Sequence, residues 1–356
     1  MSRPTMYTLT TAIMAALVMP AAAQAAKRTV FMGAPPASQD SFQKRASEVN
    51  AFFPSNIRIH RGDTVAFTPV GFHTVDFPPR GGRAVPFYVP TGKVTGVTDA
   101  AGAPFWFNGR DKLAFNPLMF RSNFGKTVTK GAGRVESGLP LADKPKPMNV
   151  RFGRTGLFTY FCDVHPGMRG TVRVVARNRP AQSPRAIALS VRRQTASALT
   201  TAKSLAATKP PANVVSVGAA GGRGVEHMGF LPAKLTVAVG TSVRFAMPAR
   251  STEAHTATTG PGNPMTDPKS YLGTISGSYQ GPTGVDPRAT YPSEQPPAVA
   301  ALTPLLHGNG FWNSGELDAI SASPFAPANT VQFAAPGTYE FYCVIHPFMH
   351  ATVTAQ

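Results

Sequence analysis

The sequence predicts an all-β protein made of two repeated domains. Three observations lead to this prediction: an abundance of turn-forming residues, alternating strand patterns that occur twice, and a short motif that also occurs twice. The chain of 356 residues contains 33 glycines and 35 prolines, which favours turns and loops over long helices. Its length is enough for two domains that each bury a core.

The first repeated pattern is a pair of alternating strands joined by a glycine turn. The segment "IRIHRGDTVAF" (57–67) matches "LTVAVGTSVRF" (235–245), and apolar residues occupy alternate positions in both. Gly62 and Gly240 mark the turn between the two strands of each pair. These segments predict corresponding strands in two similar domains.

The second repeated pattern is an aromatic strand near the end of each domain. The segment "GLFTYFC" (156–162) matches "GTYEFYC" (337–343), and both end at a cysteine. A final strand is predicted in each copy, over 171–175 and 352–354.

We therefore predict domains over residues 26–178 and 212–356, joined by a basic linker over 179–211. Ser183 is a good N-cap residue and Pro184 suits the first helical position. The apolar residues that follow lie near one helical face: Ile187, Val191, Ala198, Ala202 and Leu205. The linker is predicted to be helical, and a flexible alanine-rich tether is the alternative.

The N-terminal segment predicts a signal peptide over residues 1–25. Arg3 precedes an apolar run over about residues 12–19, and Ala-Gln-Ala at 23–25 suits a cleavage site. The apolar run is too short to span a bilayer unaided, and an uncleaved anchor is the alternative. No other stretch of the sequence could cross a membrane. We expect an exported protein, in a periplasm, a cell wall or the medium, with no transmembrane segment after cleavage.

The net charge of +18 lies in the first half and the linker, whereas residues 212–356 are slightly negative. The positive electrostatic field of this charged region would speed encounter with acidic redox partner proteins or anionic wall polymers. The alternative is a basic surface that only keeps the protein in solution. The sequence has no nucleic-acid motif, so nucleic acid is not expected as a partner. The sequence leaves the oligomeric state and the identity of the partners open.

The motif Cys-x-x-His-x-x-Met occurs twice, and it contains the only two cysteines of the chain. A thiolate, an imidazole and a thioether form a soft ligand set, and a second histidine completes the site that selects copper for electron transfer. Each domain has such a histidine well upstream, followed by threonine. We therefore predict two copper sites formed by His73, Cys162, His165 and Met168 and by His255, Cys343, His346 and Met349.

These residues resemble the ligands of the cupredoxins, the small blue copper proteins, and the loop spacing is most like that of amicyanin, with plastocyanin a related member. The resemblance covers both halves and implies two tandem Greek-key β-sandwich domains, each with one type 1 copper that cycles between Cu(I) and Cu(II). It implies thiolate ligands at the cysteines and axial methionines. It also implies that His165 and His346 lie at the surface as electron ports.

Two departures from the family affect the sites. Thr74 and Thr256 follow the upstream histidines, where small family members commonly have asparagine, so the hydrogen bonding of the cysteine sulfur is expected to differ. Asp163 follows Cys162, whereas Val344 follows the second cysteine. A negative charge near the metal favours Cu(II), so we predict the lower reduction potential for the first site.

Both domains also contain long insertions between the upstream histidine and the cysteine. The sequence suggests a shared signature, "FWFNGRD" (105–111) and "FWNSGELD" (311–318), which would place the extra residues on opposite sides of Trp106 and Trp312. Loops of this length are usually functional or disordered. We expect a core-covering loop with a buried tryptophan, and an ordered lid or interface element is the alternative.

Other interpretations of the cysteines remain. Structural zinc is one, although thioether suits zinc poorly. A catalytic cysteine–histidine pair is another, although the aromatic surroundings offer no electropositive setting. Export permits a disulfide, but a bond between Cys162 and Cys343 would join two equivalent sites.

An enzyme is the main functional alternative to an electron-transfer protein. Two-domain multicopper oxidases and copper nitrite reductases also resemble tandem cupredoxins, but their catalytic copper needs further histidines, typically in His-x-His pairs, which this sequence lacks. The remaining histidines could still assemble one extra copper site: His60, His227, His307 and His350. A copper-binding module for storage, delivery or docking is a third class. We predict a non-enzymatic electron-transfer protein.

Overall fold

The computed structural model describes residues 25–281 and 284–356. The predicted signal peptide lies outside these residues, apart from its last position. The described chain is an all-β, multi-domain β-sandwich protein, which confirms the predicted fold class.

Thirteen strands precede the long helix in the described residues. They are β1 (Lys27–Met32), β2 (Ser47–Val49), β3 (Phe52–Phe53), β4 (Asn56–His60), β5 (Thr64–Pro69), β6 (Asp76–Phe77), β7 (Tyr88–Lys93), β8 (Asp111–Phe115), β9 (Thr127–Lys130), β10 (Val135–Glu136), β11 (Met148–Phe152), β12 (Gly156–Phe161) and β13 (Arg169–Val175). Short helices here are α1 (Gln39–Gln43) and two 3₁₀ turns, Pro36–Ser38 and Pro117–Phe120.

Twelve strands follow the long helix α2 (Pro184–Leu205) in the described residues. They are β14 (Val214–Ala220), β15 (Val225–Leu231), β16 (Lys234–Val237), β17 (Ser242–Ala246), β18 (Ala254–His255), β19 (Thr258–Thr259), β20 (Ala300–Leu302), β21 (Trp312–Asn313), β22 (Leu317–Asp318), β23 (Ala328–Phe333), β24 (Gly337–Tyr342) and β25 (His350–Ala355). Helices α3 (Tyr271–Gly277) and α4 (Pro287–Thr290) and three 3₁₀ turns, Gly222–Gly224, Ser278–Gln280 and Leu306–Gly308, complete the set.

The first sandwich consists of two five-stranded sheets, in the orders β3-β1-β5-β11-β9 and β10-β6-β12-β13-β4. Alternate residues of both sheets share one buried core, as the period of two in the sequence predicts. Val65 and Phe67 of β5 lie in this core with Ile57 and Ile59 of β4. Gly62 forms the turn between these strands at φ +92°, a conformation that favours glycine.

The second sandwich repeats this strand order. Its sheets are β2-β15-β14-β17-β23-β20 and β16-β25-β24-β19-β21, and corresponding strands pair in the same parallel or antiparallel sense. Gly240 makes the corresponding turn at φ +87°. The last strands, β13 and β25, each begin two residues earlier than the sequence pattern predicts.

A strand from the first half completes a sheet of the second. Strand β2 pairs antiparallel with β15, so that Val49 faces Val225. The backbone N–H of Asn50 continues this contact by donating a 2.7 Å hydrogen bond to the carbonyl of Gly224. The two sandwiches are therefore joined by main-chain hydrogen bonds as well as by the linker.

The linker contains the predicted helix. The Ser183 side chain accepts a hydrogen bond from the Ala186 N–H, and Pro184 occupies the first turn. Ile187, Ala198 and Ala202 are buried, as the predicted face requires. Helix α2 packs on strands of both sandwiches, β3 and β15. Neither α2 nor any shorter helix of the described residues has both the length and the apolar character of a membrane span.

The proposed equivalence of Trp106 and Trp312 is wrong. Strand β21, which holds Trp312, pairs with β19, and its counterpart in the first sandwich is β10, which pairs with β6. Val135 therefore occupies the position of Trp312. The insertions accordingly fall at the same place in both sandwiches, over 78–134 and 260–311, rather than on opposite sides of a shared tryptophan.

The two insertions pack against each other. Apolar residues of both insertions form one cluster with Tyr342 and Val344 of the second sandwich: Val94, Phe105, Phe107, Phe115, Leu272, Ile275, Val285, Ala289 and Phe311. The indole N–H of Trp106 donates a 2.9 Å hydrogen bond to the Pro292 carbonyl, whereas Trp312 is buried in the second core. Trp106 therefore belongs to an interface between the two insertions, whereas Trp312 is a buried core residue, as expected for a core-covering loop.

Candidate metal centres

Each candidate centre is assembled at one end of its sandwich by a short loop and an upstream histidine. Cys162 directly follows β12, and its backbone N–H donates to the Met168 carbonyl at 2.9 Å. The Met168 N–H donates in turn to the His165 carbonyl at 3.0 Å. These hydrogen bonds fold the loop into a tight turn. Side chains three positions apart in the loop can therefore point toward the same site.

The first centre brings two imidazole nitrogens and a thiol sulfur together. The Nδ1 atoms of His73 and His165 are 3.0 Å apart, and the Cys162 sulfur is 3.5 Å from the His165 Nδ1. The three donor atoms all lie within 4.8 Å of one another and are buried. Met168 is also buried, in the core cluster that contains Cys162.

The second centre has the same arrangement. The Nδ1 atoms of His255 and His346 are 3.1 Å apart, and the Cys343 sulfur is 3.7 Å from each. Met349 is buried in the core cluster that contains Cys343. Among the described residues, these two triplets are the clusters of histidine, cysteine or carboxylate side chains whose donor atoms lie close enough together to hold one metal ion.

A backbone amide contacts each cysteine sulfur. The N–H of Thr74 donates to the Cys162 sulfur at 3.4 Å, and the N–H of Thr256 donates to the Cys343 sulfur at 3.3 Å. Each threonine hydroxyl oxygen also accepts a bond from the N–H of the residue after the cysteine, at 2.8 and 2.9 Å. Each threonine directly follows the upstream histidine, so these hydrogen bonds hold the histidine segment next to the segment that carries the cysteine.

Carboxylates surround the first centre. The Asp163 carboxylate accepts hydrogen bonds from the Thr74 hydroxyl and the Val85 N–H, and burial raises its pKa to about 6. Burial, together with the charge of Asp163, raises the pKa of Asp76 to about 8, although Arg134 forms an ion pair with it. The first centre therefore has acidic groups close to its cysteine.

Different groups surround the second centre. Val344 follows the cysteine, and Thr258 and Asn313 occupy the strand positions that correspond to Asp76 and Glu136. A buried carboxylate lies further along, at Glu316, where burial raises the pKa to about 8 and the Tyr279 hydroxyl donates to it at 3.4 Å.

The carboxylate of Glu253 lies between the two centres. Its oxygens are 3.2 Å from the His165 Nε2 and 3.8 Å from the His346 Nε2. Burial by itself would raise the pKa of Glu253, but the adjacent histidines lower it below its usual range. None of the sequence motifs described above includes this residue. A signal was present, since Glu253 stands two positions before His255, where the first copy has Gly71.

The expectation that both loop histidines lie at the surface is wrong for His165. This residue is only 5% exposed, because the second sandwich covers its ring with Glu253. The His346 side chain is 23% exposed and lies beside Phe348, which is 52% exposed. Only the second centre therefore combines an accessible ring with an exposed apolar neighbour.

The surroundings shift the pKa values of the two cysteines in opposite directions. Burial by itself would raise the pKa of Cys162, but His165 lowers it well below the usual value for a thiol. Burial raises the pKa of Cys343 to about 11, and the Thr256 N–H offsets only part of this effect. Two ring nitrogens, one sulfur and a nearby thioether residue form a donor set that suits copper. The residues present in both centres therefore fit a copper ion.

The four remaining histidines bond to separate groups. His60 contacts the Arg179 carbonyl at 2.8 Å, and His227 contacts the Arg45 carbonyl at 3.1 Å. His307 lies between Asp99 and Glu294, at 3.2 and 2.9 Å, and His350 pairs with Glu340. These contacts lie on different elements of the described chain and bring no two of the four together.

Comparison with the sequence models of known protein families finds no match, and comparison with curated proteins finds none. Among solved structures, the chain is similar to a methionine-to-alanine variant of amicyanin in its Cu(I) form (15% identity, TM-score 0.21, 40% of this chain and 80% of that chain). It is also similar to a purple cupredoxin from Nitrosopumilus maritimus (15% identity, TM-score 0.20, 40% and 98%). These likenesses are too weak to assign a function.

Proposed function

We propose that the protein is an exported electron-transfer protein with two tandem cupredoxin-like domains, each holding one type 1 copper. The observation that carries this proposal is the convergence of two Nδ1 atoms and one sulfur at both centres. The repeated strand order supports a division into two similar units, with boundaries near 26–178 and 212–356.

The residues would divide the work of holding copper. Cys162 and Cys343 would bind as thiolates, the four Nδ1 atoms as neutral imidazoles, and Met168 and Met349 as weak thioether ligands. Bound copper supplies one-electron chemistry between Cu(I) and Cu(II). Ligands held at strand ends and by loop hydrogen bonds resist rearrangement when the charge of the metal changes, which favours rapid transfer.

The surface around the second centre suits contact with a redox partner. The partly exposed His346 ring and the exposed Phe348 give an apolar contact next to a ligand. The basic first half and linker would attract an acidic partner protein over longer distances. Export would place this exchange in a periplasm, a cell wall or the medium.

Copper titration with visible and electron paramagnetic resonance spectra tests the proposal. We expect two copper ions per chain and an intense visible band from thiolate-bound Cu(II). Each of Cys162→Ser and Cys343→Ser is expected to remove about half of the band, by the loss of one thiolate. His350→Gln is the matched control, because this exposed histidine lies outside both centres.

Three results would change the proposal. A colourless copper-loaded protein, with copper uptake unchanged when both cysteines are replaced, overturns it. An additional weak, non-blue copper signal would favour a two-domain multicopper oxidase or nitrite-reductase-like enzyme. Coloured copper that exchanges no electrons with a small redox protein would favour a binding module.

A further inference from the structure

One carboxylate lies between the two candidate centres and contacts a ligand ring of each. The Glu253 Oε1 is 3.2 Å from the His165 Nε2, and Oε2 is 3.8 Å from the His346 Nε2. The Nδ1 atoms of the same rings face the donor groups of their own centres. One imidazole, one carboxylate and a second imidazole therefore connect the two centres.

Contacts from both sandwiches hold this carboxylate in place. Glu253 is 5% exposed, and the Asn50 side chain, which comes from the first half, donates a 2.6 Å hydrogen bond to its Oε1. The Glu253 backbone N–H donates to the Ser251 hydroxyl at 3.1 Å. Because Asn50 also bonds to the Gly224 carbonyl, the position of the carboxylate depends on the docking of the two sandwiches.

We propose that Glu253 connects the two copper sites, so that an electron moves within one chain between them through His165, Glu253 and His346. This inference depends on the proposed copper-binding function. With copper bound at both centres, such a transfer would oxidise one site by one electron and reduce the other by one electron, so the electrons balance without an outside reagent. The residues His165, Glu253 and His346 would supply the contacts between the two sites, and no covalent bond would form or break.

The arrangement differs from the usual support of a ligand histidine. A metal-bound histidine commonly donates its second ring N–H to a carboxylate, which orients the ring. Here one carboxylate stands within reach of the rings of two sites, so the same contact that orients each ring also connects them. Glu253 is a positioning residue, because it contacts the ligand rings and lies outside both donor sets.

The enclosure of His165 supports a route inside the chain. Its Nε2 faces Glu253, and the residue is almost completely buried. A partner protein in solution therefore reaches the ring of His346 far more readily than the ring of His165. The first site would exchange its electron with the second, which in turn meets the partner.

Intramolecular electron exchange in the copper-loaded full chain tests this proposal. A pulse of radiolytic reductant supplies less than one electron per oxidised chain, and the visible bands of the two sites are followed. Cys162→Ser and Cys343→Ser provide the reference spectra of the single sites. We expect a phase whose rate is independent of protein concentration. Glu253→Leu should slow it about 10- to 100-fold, the size of effect that loss of a partner of a ligating histidine typically has on metal affinity or activity.

Glu226→Gln is the matched control. Glu226 is a buried glutamate next to Glu253 in the interface, and it accepts hydrogen bonds from Thr252 and Ser251 rather than from a ligand ring. Its replacement should leave the exchange rate unchanged. Two coloured sites without a concentration-independent phase overturn the inference, as does an equal rate in wild type and the Glu253 variants. Absence of colour in the wild type rejects the copper-binding function instead.

A second measurement needs no copper. Glu253→Gln keeps the shape of the side chain, so it serves where Glu253→Leu fails to fold. In the metal-free protein, this variant should shift the ¹⁵N resonances of Nε2 in both His165 and His346, because both face the carboxylate. His60, which bonds to the Arg179 carbonyl, is the internal reference. An unchanged Nε2 resonance in either ligand histidine overturns the shared contact.

Discussion

The two sandwiches present the same candidate donors in different surroundings. Asp163 follows the cysteine of the first centre, and Asp76 lies on the adjacent strand, whereas Val344 and Thr258 occupy these positions in the second. The donor distances nevertheless agree closely, at 3.0 and 3.1 Å between the Nδ1 atoms. The strand framework therefore sets the positions of the donors, and the neighbouring side chains set the local charge.

The two centres also differ in their access to solvent. Glu253 and the second sandwich enclose the His165 ring, while the His346 ring remains partly exposed beside Phe348. The difference arises because β2 of the first half joins the sheet of the second and brings the first centre against its neighbour. The docking of the sandwiches thus makes two similar centres unequal.

The largest expected difference between the halves concerns the tryptophans. Trp312→Ala removes a ring packed against Phe245 and Phe341 in the second core, and we expect a loss of about 3–5 kcal/mol in the free energy of unfolding. Trp106 is half-buried and makes one hydrogen bond, so Trp106→Ala should cost about 1–2 kcal/mol. Denaturant unfolding of the metal-free protein measures both. Equal losses would contradict the assignment of Trp312 to the core and Trp106 to the insertion interface.

A charge exchange between the centres has the next largest expected effect. Asp163→Val should raise the reduction potential of the first site, and Val344→Asp should lower that of the second, because a nearby negative charge favours Cu(II). We expect shifts of roughly 60–120 mV. These correspond to about a 10- to 100-fold change in the equilibrium constant for one-electron reduction, since a tenfold change is about 59 mV. Redox titration at pH 8, above the pKa of about 6 for Asp163, measures them.

Asp163→Asn is the control for this exchange, since it removes the charge and keeps the shape. A potential unchanged in both Asp163 variants would show that the charge has no influence. A wild-type first site with the higher potential would refute the predicted order of the two sites.

The smallest expected effect is on the contact between the insertions, where His307 lies between a carboxylate of each. Burial by itself would lower the pKa of His307, but its bonds to Glu294 and Asp99 raise it. A raised pKa in the folded state means that the stabilisation is complete below the unfolded value and disappears as pH rises through the folded value. We expect a loss of roughly 1 kcal/mol over that range, as for a partly buried ion pair.

The measurement is the pH dependence of unfolding of the metal-free protein, compared with that of His307→Gln. The difference in stability between the two proteins should shrink as pH rises. If the difference in stability between the two proteins stays constant across this pH range, the charge of His307 does not contribute to stability.

Sequence reasoning succeeded where the signal was local. The alternating segments around Gly62 and Gly240 form the predicted strands, and Ser183 caps the predicted helix. It failed for Trp106 and Trp312, because two similar short segments resemble each other by letters while strand pairing decides which positions correspond. It also missed Glu253, whose partners His165 and Asn50 lie far away in the sequence.

By itself, the sequence determined the all-β class, the repeated strands and the spacing of the candidate donors, because side-chain alternation and loop length act over a few residues. The tertiary structure alone decided how β2 crosses to the second sandwich, how the insertions meet, and how one carboxylate comes to face the rings of both centres. Those features depend on contacts between residues distant in the chain, and such contacts are selected by the packing of whole sheets rather than by any local pattern.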